Sequence, residues 1–157
     1  MNELNIMVGL PGSGKSTWCK KNLNPGDVYI SRDKIRFSML KENEEYFARE
    51  NDVYNEFIRE INMGLKNGHK VYADATHLNE SSRAKLMKRI KGADKINAIY
   101  IKVSLQTAIE RNKKRSGRAF VPEKVIINMY EETLSEPKKE EGFDNVRIIL
   151  NESVKVV

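Results

Sequence analysis

A single cysteine, Cys19, leaves no partner for an internal disulfide, and no cluster of Cys and His at metal-ligand spacing suggests a zinc site. No apolar run approaches the roughly 18–20 residues that a membrane span requires. The opening Met1-Asn2-Glu3-Leu4-Asn5 lacks the basic-then-apolar layout of a signal peptide. The four prolines, at 11, 25, 122 and 137, fall between the apolar segments and punctuate them rather than break them. These scarcities point away from a secreted disulfide scaffold, a zinc module and a membrane span, and toward a cytoplasmic location. What is present is 39% hydrophobic residues, enough for one core, in 157 residues, so residues 1–157 are expected to form a single domain.

Charge is unevenly spread. The net charge is +6, but Arg83 to Arg118 holds 12 Lys and Arg against Asp94 and Glu110, a local +10 that leaves −4 for the rest. Such an asymmetry suits an anionic partner such as a nucleic acid, while the plainer reading is that these cations solvate exposed helix faces. Residues Glu42 to Glu60 run the other way, with seven acids against Arg49 and Arg59. That stretch is expected to stay clear of a nucleic-acid path.

The apolar pattern alternates between short strands and longer helices. Leu4 to Val8, Val28 to Ile30, Lys70 to Ala73, Ile96 to Val103 and Val146 to Leu150 read as strands. Helices are expected from near Gly14 to Leu23, from Arg32-Asp33, from Glu44 to Asn67, from Ser81 to Ile90, from Leu105 to Lys114 and from Glu123 to Leu134. Strand–helix alternation implies an α/β fold, a parallel β-sheet of about five strands with right-handed crossovers and helices on both faces. Ligands in such sheets bind beyond the carboxyl ends of the strands. The segments following Val8, Ile30 and Ala73 should therefore converge.

The first of these segments is Gly9-Leu10-Pro11-Gly12-Ser13-Gly14-Lys15-Ser16-Thr17, which matches the P-loop pattern between a strand and a helix. Its glycines allow backbone N–H groups to approach phosphate oxygens, and the helix start adds partial positive charge. Lys15 is expected to reach the β- and γ-phosphates of a nucleotide, and the Ser16 hydroxyl to ligate Mg²⁺. Cys19 is expected to be inert, and Trp18 to pack under the loop in preference to touching the nucleotide; His77 has no paired ligand at metal spacing and could as easily be a surface residue, and His69 reads as a strand-start residue.

The second segment is Ser31-Arg32-Asp33-Lys34-Ile35-Arg36. Asp33 and Arg36 lie three apart on one helical face, where they could hold an acceptor hydroxyl and a nearby phosphate; the plain role for Asp33 is a helix cap. Asp74, at the end of the third strand, could hold a Mg²⁺-bound water, orient an acceptor, or cap the next turn. Arg111 and Arg115 share one face at the end of a helix, and Ser116-Gly117 offers a hinge that could close Arg115 or Arg118 as a short lid.

Taken together, Gly-Leu-Pro-Gly-Ser-Gly-Lys-Ser-Thr-Trp, Ser-Arg-Asp-x-x-Arg, Asp74-Ala75-Thr76-His77-Leu78-Asn79 and Arg111-Asn112-x-x-Arg115 before Val121-Pro122 resemble phage-type polynucleotide 5′-hydroxyl kinases. The resemblance spans Ile6 to about Tyr130 and implies a P-loop kinase fold that uses ATP and Mg²⁺ on DNA or RNA 5′ ends. It implies Asp33 as general base, Arg36 as an acceptor contact, Arg115 as the lid arginine, Arg111 on the nucleotide side, and Asp74 in the acceptor site. Arg115 is preferred over Arg118, which sits where the family pattern is looser. The chain length suggests a kinase without the phosphatase or ligase module of many relatives. A small-molecule kinase acting on a nucleoside, sugar or antibiotic is the main alternative, followed by a nucleotide-dependent switch or a toxin-like kinase.

Overall fold

The structure, a computed structural model, describes residues 2–117 and 120–152. Five strands form one parallel sheet in the order β2-β3-β1-β4-β5: β1 (Glu3–Val8), β2 (Val28–Ser31), β3 (Val71–Asp74), β4 (Lys95–Lys102) and β5 (Asn145–Leu150). The helices are α1 (Lys15–Asn22), α2 (Arg32–Met39), α3 (Glu50–Lys66), α4 (Glu80–Met87), α5 (Leu105–Lys113) and α6 (Glu123–Asn128). Among the described residues, no helix is long and apolar enough to cross a membrane.

Strand β1 lies at the centre and is buried from Leu4 to Val8, as expected of a strand covered on both faces. Its alternating side chains separate two cores. Leu4 and Ile6 pack with Val53, Phe57 and Ile61 of α3, whereas Met7 packs with Cys19 of α1 and Ile99 of β4. Asn5, the polar exception, accepts a 3.1 Å hydrogen bond from Asn97 at the paired position on β4, and Asn145 on β5 donates to Asn97 in turn. A buried amide is tolerated there because its neighbours satisfy it.

Three element boundaries differ from the sequence reading. Helix α3 begins at Glu50 rather than Glu44, because the preceding residues turn and send Tyr46 and Glu44 to partners of their own. After α4 ends at Met87, the chain tightens through i→i−3 bonds from Arg89 to Leu86 and from Ile90 to Met87. The expected helix from Glu123 to Leu134 becomes α6 followed by a π-helical turn over Met129–Thr133, which Leu134 closes onto the Met129 carbonyl.

The register then brings the predicted segments together. Ser31 at the end of β2 pairs with Asp74 at the end of β3, and β3 lies beside β1. The β1 exit is tied to the β3 exit by the Gly9 N–H, which donates to the Thr76 carbonyl at 3.0 Å.

Candidate active site

The phosphate loop leaves the central strand and enters α1 without a side-chain cap. Gly14, at the cap position, has φ +94°, and a Cβ there would collide with the Asn151 amide. Gly12 has φ +81°, and a Cβ would sit 2.8 Å from the Ala108 carbonyl oxygen. Both positions therefore demand glycine. The uncapped first turn leaves its N–H groups for an anion. Ser16 and Thr17 are exposed there, while the Ser13 hydroxyl is buried inside the loop without a hydrogen-bond partner among the described residues. The Lys15 ammonium donates to the Gly9 and Leu10 carbonyls at 3.0 Å each. Burial lowers its pKa; Asp74 and Asp33 oppose that shift and Arg115 adds to it. Asp33, Asp74 and Arg115, singled out separately in the sequence, thus all lie within electrostatic reach of one buried amine.

Asp33 does not cap its helix. Ser31 does, accepting from the Lys34 N–H at 3.1 Å. The Asp33 carboxylate instead receives hydrogen bonds from Arg36 and from the Tyr46 hydroxyl, and its side chain stays 45% exposed. Arg36 is buried and fully engaged: it donates to Asp33, to Tyr46 and, from Nε and Nη2, to Glu50 at 2.8–3.2 Å. Its guanidinium stacks 4.2 Å from the Tyr46 ring centre. Arg32 also pairs with Glu50. Phe47 meets Tyr46 edge-on at 4.7 Å and is 67% exposed.

The acidic stretch, expected to stay clear of a nucleic-acid path, packs against the Asp33 and Arg36 cluster through Tyr46 and Glu50. Glu50 neutralises the arginines flanking Asp33, which weighs against a polyanion held by those two residues alone. Glu50 and Tyr46 were missed from sequence because the pairings run 10 to 18 residues along the chain, beyond any helical spacing.

Asp74 is buried and accepts from the Tyr29 hydroxyl, whose pKa burial and this carboxylate push upward. The cap of α4 is Asn79, bonded reciprocally with Ser82, so that role does not fall to Asp74. His77, read from sequence as a residue that could as easily be on the surface, is buried. It lies stacked on Phe57 with φ +43° and donates from Nδ1 to the Met7 carbonyl at 2.6 Å. Burial lowers its pKa to about 4. The carbonyl of His77 in turn accepts from the fully buried Arg83, which pairs with Glu141 at 2.8 and 3.0 Å.

The lid follows α5. Arg111 braces the phosphate loop, donating to the Ser13 carbonyl at 3.1 Å and to the Asn151 carbonyl at 2.6 Å, while Asn151 donates to Ser13 at 2.8 Å. Arg115 is half-exposed one turn further on; Arg118 lies outside the described residues. Cys19 is buried, with its thiol pushed up to about 12 by burial, which disfavours the reactive thiolate. Trp18 packs against Tyr72.

A family model described as an AAA domain matches residues 4–135. A protein of Autographa californica nuclear polyhedrosis virus, named as a bifunctional polynucleotide kinase/RNA ligase, is 26% identical over 149 residues. That match covers 84% of this chain but only 21% of the relative, so the chain spans about a fifth of its length. A chain from the Pnkp1/Rnl/Hen1 RNA repair complex superposes with a TM-score of 0.70 at 24% identity, covering 81% of this chain and 42% of that one. A gluconokinase from Sinorhizobium meliloti superposes with a TM-score of 0.63 at 20% identity, covering 98% and 85%. The two structural likenesses show a fold shared by proteins of different names. The chain belongs to the AAA domain family whose model matches residues 4–135, and it is similar to a viral protein named as a polynucleotide kinase.

Proposed function

We propose that the protein transfers the γ-phosphate of ATP to the 5′-hydroxyl of a polynucleotide. The observation that carries this reading is Asp33: a half-exposed carboxylate freed from capping, oriented by Arg36 and Tyr46, and within electrostatic reach of the phosphate-loop lysine. The acceptor oxygen attacks the γ-phosphorus, forming a new O–P bond. The bond from phosphorus to the bridging oxygen breaks and its electron pair leaves with ADP, while the hydroxyl proton passes to Asp33. Gly9, Pro11, Gly12, Ser13, Gly14 and Thr17 frame the phosphates, Lys15 neutralises the transferring group, and Arg115 adds a second cation from the lid side. Arg36 serves by holding Asp33, since its own donors are spent within the cluster. The Ser16 hydroxyl and the Asp74 carboxylate are hard oxygen donors that fit Mg²⁺, which when bound supplies charge neutralisation at the phosphates.

Two observations favour a polynucleotide acceptor. The viral relative named as a polynucleotide kinase matches 84% of the chain. Phe47 also presents an exposed aromatic surface against Tyr46, which bonds Asp33, and that surface suits a nucleobase. A small-molecule kinase is the second reading, supported by the fold shared with the gluconokinase. Labelled γ-phosphate transfer separates the two, using a 5′-hydroxyl oligonucleotide beside nucleosides and gluconate. Label on the oligonucleotide 5′ end, abolished by Asp33→Asn while ATP binding persists, is the expected result. Label only on a small acceptor would replace this reading with the second one.

A further inference from the structure

The basic segment does not act as a block, because its cations divide by partner. Arg83 is buried against Glu141, Lys102 pairs with Glu136, and Arg111 braces the phosphate loop. Lys85 and Arg89 are different. Four residues apart on α4 and the turn after it, they share one exposed face. Both converge on Tyr54 of α3: the Lys85 ammonium lies 4.8 Å and the Arg89 guanidinium 5.7 Å from the ring centre. Arg32, next to Asp33 in sequence, lies 4.8 Å from the same ring. One aromatic ring thus gathers three cations, and the innermost of them adjoins the acceptor carboxylate.

The anions nearby do not balance this cluster. Glu50 serves Arg32 and Arg36, and Asp33 serves Arg36. Lys85 and Arg89 form no ion pair among the described residues; Arg89 makes a neutral bond of 2.9 Å to Asn55. The acids of α3 do not compensate either. At 100° per residue, Asp52, Glu56 and Glu60 point about 100° or more away from the face bearing Tyr54, Asn55 and Asn62. That face is the one turned toward α4, since Asn62 bonds the Arg89 carbonyl and the Lys91 N–H. Holding like charges together without a counter-ion is unfavourable, and the ring quadrupole offsets only part of the cost. An anion would remove the remainder.

We infer that Lys85 and Arg89, held by Tyr54 and continued by Arg32, form a subsite for backbone phosphates of the acceptor strand behind its 5′ end. This inference rests on the polynucleotide reading and names how that substrate is gripped. The attacking end is held at Asp33, and the strand runs outward along the seam between α3 and α4. Acceptor length, rather than terminal chemistry, is then read by Lys85 and Arg89. Phosphate contacts position a strand without reading its sequence.

The test compares wild type with Lys85→Ala/Arg89→Ala on two acceptors, a 5′-hydroxyl oligonucleotide and a nucleoside 3′-monophosphate. Oligonucleotide binding is also followed by fluorescence anisotropy as salt rises. The variant should show at least a tenfold higher KM for the oligonucleotide, with the KM for the mononucleotide and for ATP unchanged. Its log–log salt slope should be shallower by roughly 1.4, the value for two single-strand phosphate contacts. Lys85→Arg/Arg89→Lys should restore both. A folded double-alanine variant with wild-type oligonucleotide KM and salt slope overturns the subsite alone. Wild-type protein that neither binds nor phosphorylates the oligonucleotide overturns the polynucleotide reading, and the subsite with it.

Discussion

Asp33 and Tyr46 work as a pair: the hydroxyl that donates to the carboxylate also accepts from Arg36, and the Tyr46 ring stacks against that guanidinium. Tyr46→Phe removes two hydrogen bonds to charged groups, each worth roughly 1.5–3 kcal/mol, but leaves the stack in place. Steady-state kinetics should show kcat lowered about tenfold or more with the KM for ATP unchanged. A fall in melting temperature without a kinetic effect would make Tyr46 a packing residue only. His77 carries a different signature. Its folded pKa of about 4 lies below the ordinary 6.5, so the unfolded chain binds the proton more readily. Stability from the neutral ring is present above pH 6.5 and is lost as pH falls from 6.5 toward 4, by on the order of 3 kcal/mol. Urea unfolding across that window should show this loss in wild type and a flatter profile in His77→Gln.

At the scale of elements, α4 is tied to the turn before β5 by the Arg83–Glu141 pair, with side chains 0% and 6% exposed. The Lys102–Glu136 pair is nearly half exposed on both sides. Glu141→Ala strands a buried guanidinium and should cost about 3–5 kcal/mol in unfolding free energy, whereas Lys102→Ala should change nothing measurable. Equal effects would mean that burial does not separate the two pairs. The elements were legible where periodicity and stop signals agreed: all five strands, and α3 up to Asn67-Gly68. They were less so at Glu44 to Arg49, where helix-compatible residues turn because Tyr46 and Glu44 bond elsewhere, and at Met129 to Thr133, where a wider turn replaces the last α-helical turn. The site divides the same way. Gly9 to Thr17, Asp33 and Asp74 could be read because they follow strand ends. Glu50, Tyr46, Tyr29 and Asn151 could not, because their partners are set by packing between distant segments.

For the molecule as a whole, strand order decides the chemistry. Placing β3 between β2 and β1 sets Asp33, Asp74 and the phosphate loop on three adjacent strand exits. The loop depends equally on the far side of the sheet, since Asn151, following β5, bonds the Ser13 carbonyl and is itself held by Arg111. Asn151→Ala should raise the KM for ATP by roughly three- to tenfold, the loss of one net hydrogen bond, while circular dichroism and kcat stay near wild type. An unchanged KM would show that Arg111 alone suffices to brace the loop.

The Ser13–Asn151 bond joins positions 138 residues apart. On a ribosome, the phosphate loop is made well before the residue that braces it. At about 5–20 residues per second, the nascent chain spends roughly 7 to 28 seconds with the loop made but its brace still unsynthesised. Until Asn151 and the strand that positions it are made, the loop has Arg111 alone as its brace, so a partly made chain should grip a nucleotide severalfold more loosely than the finished one.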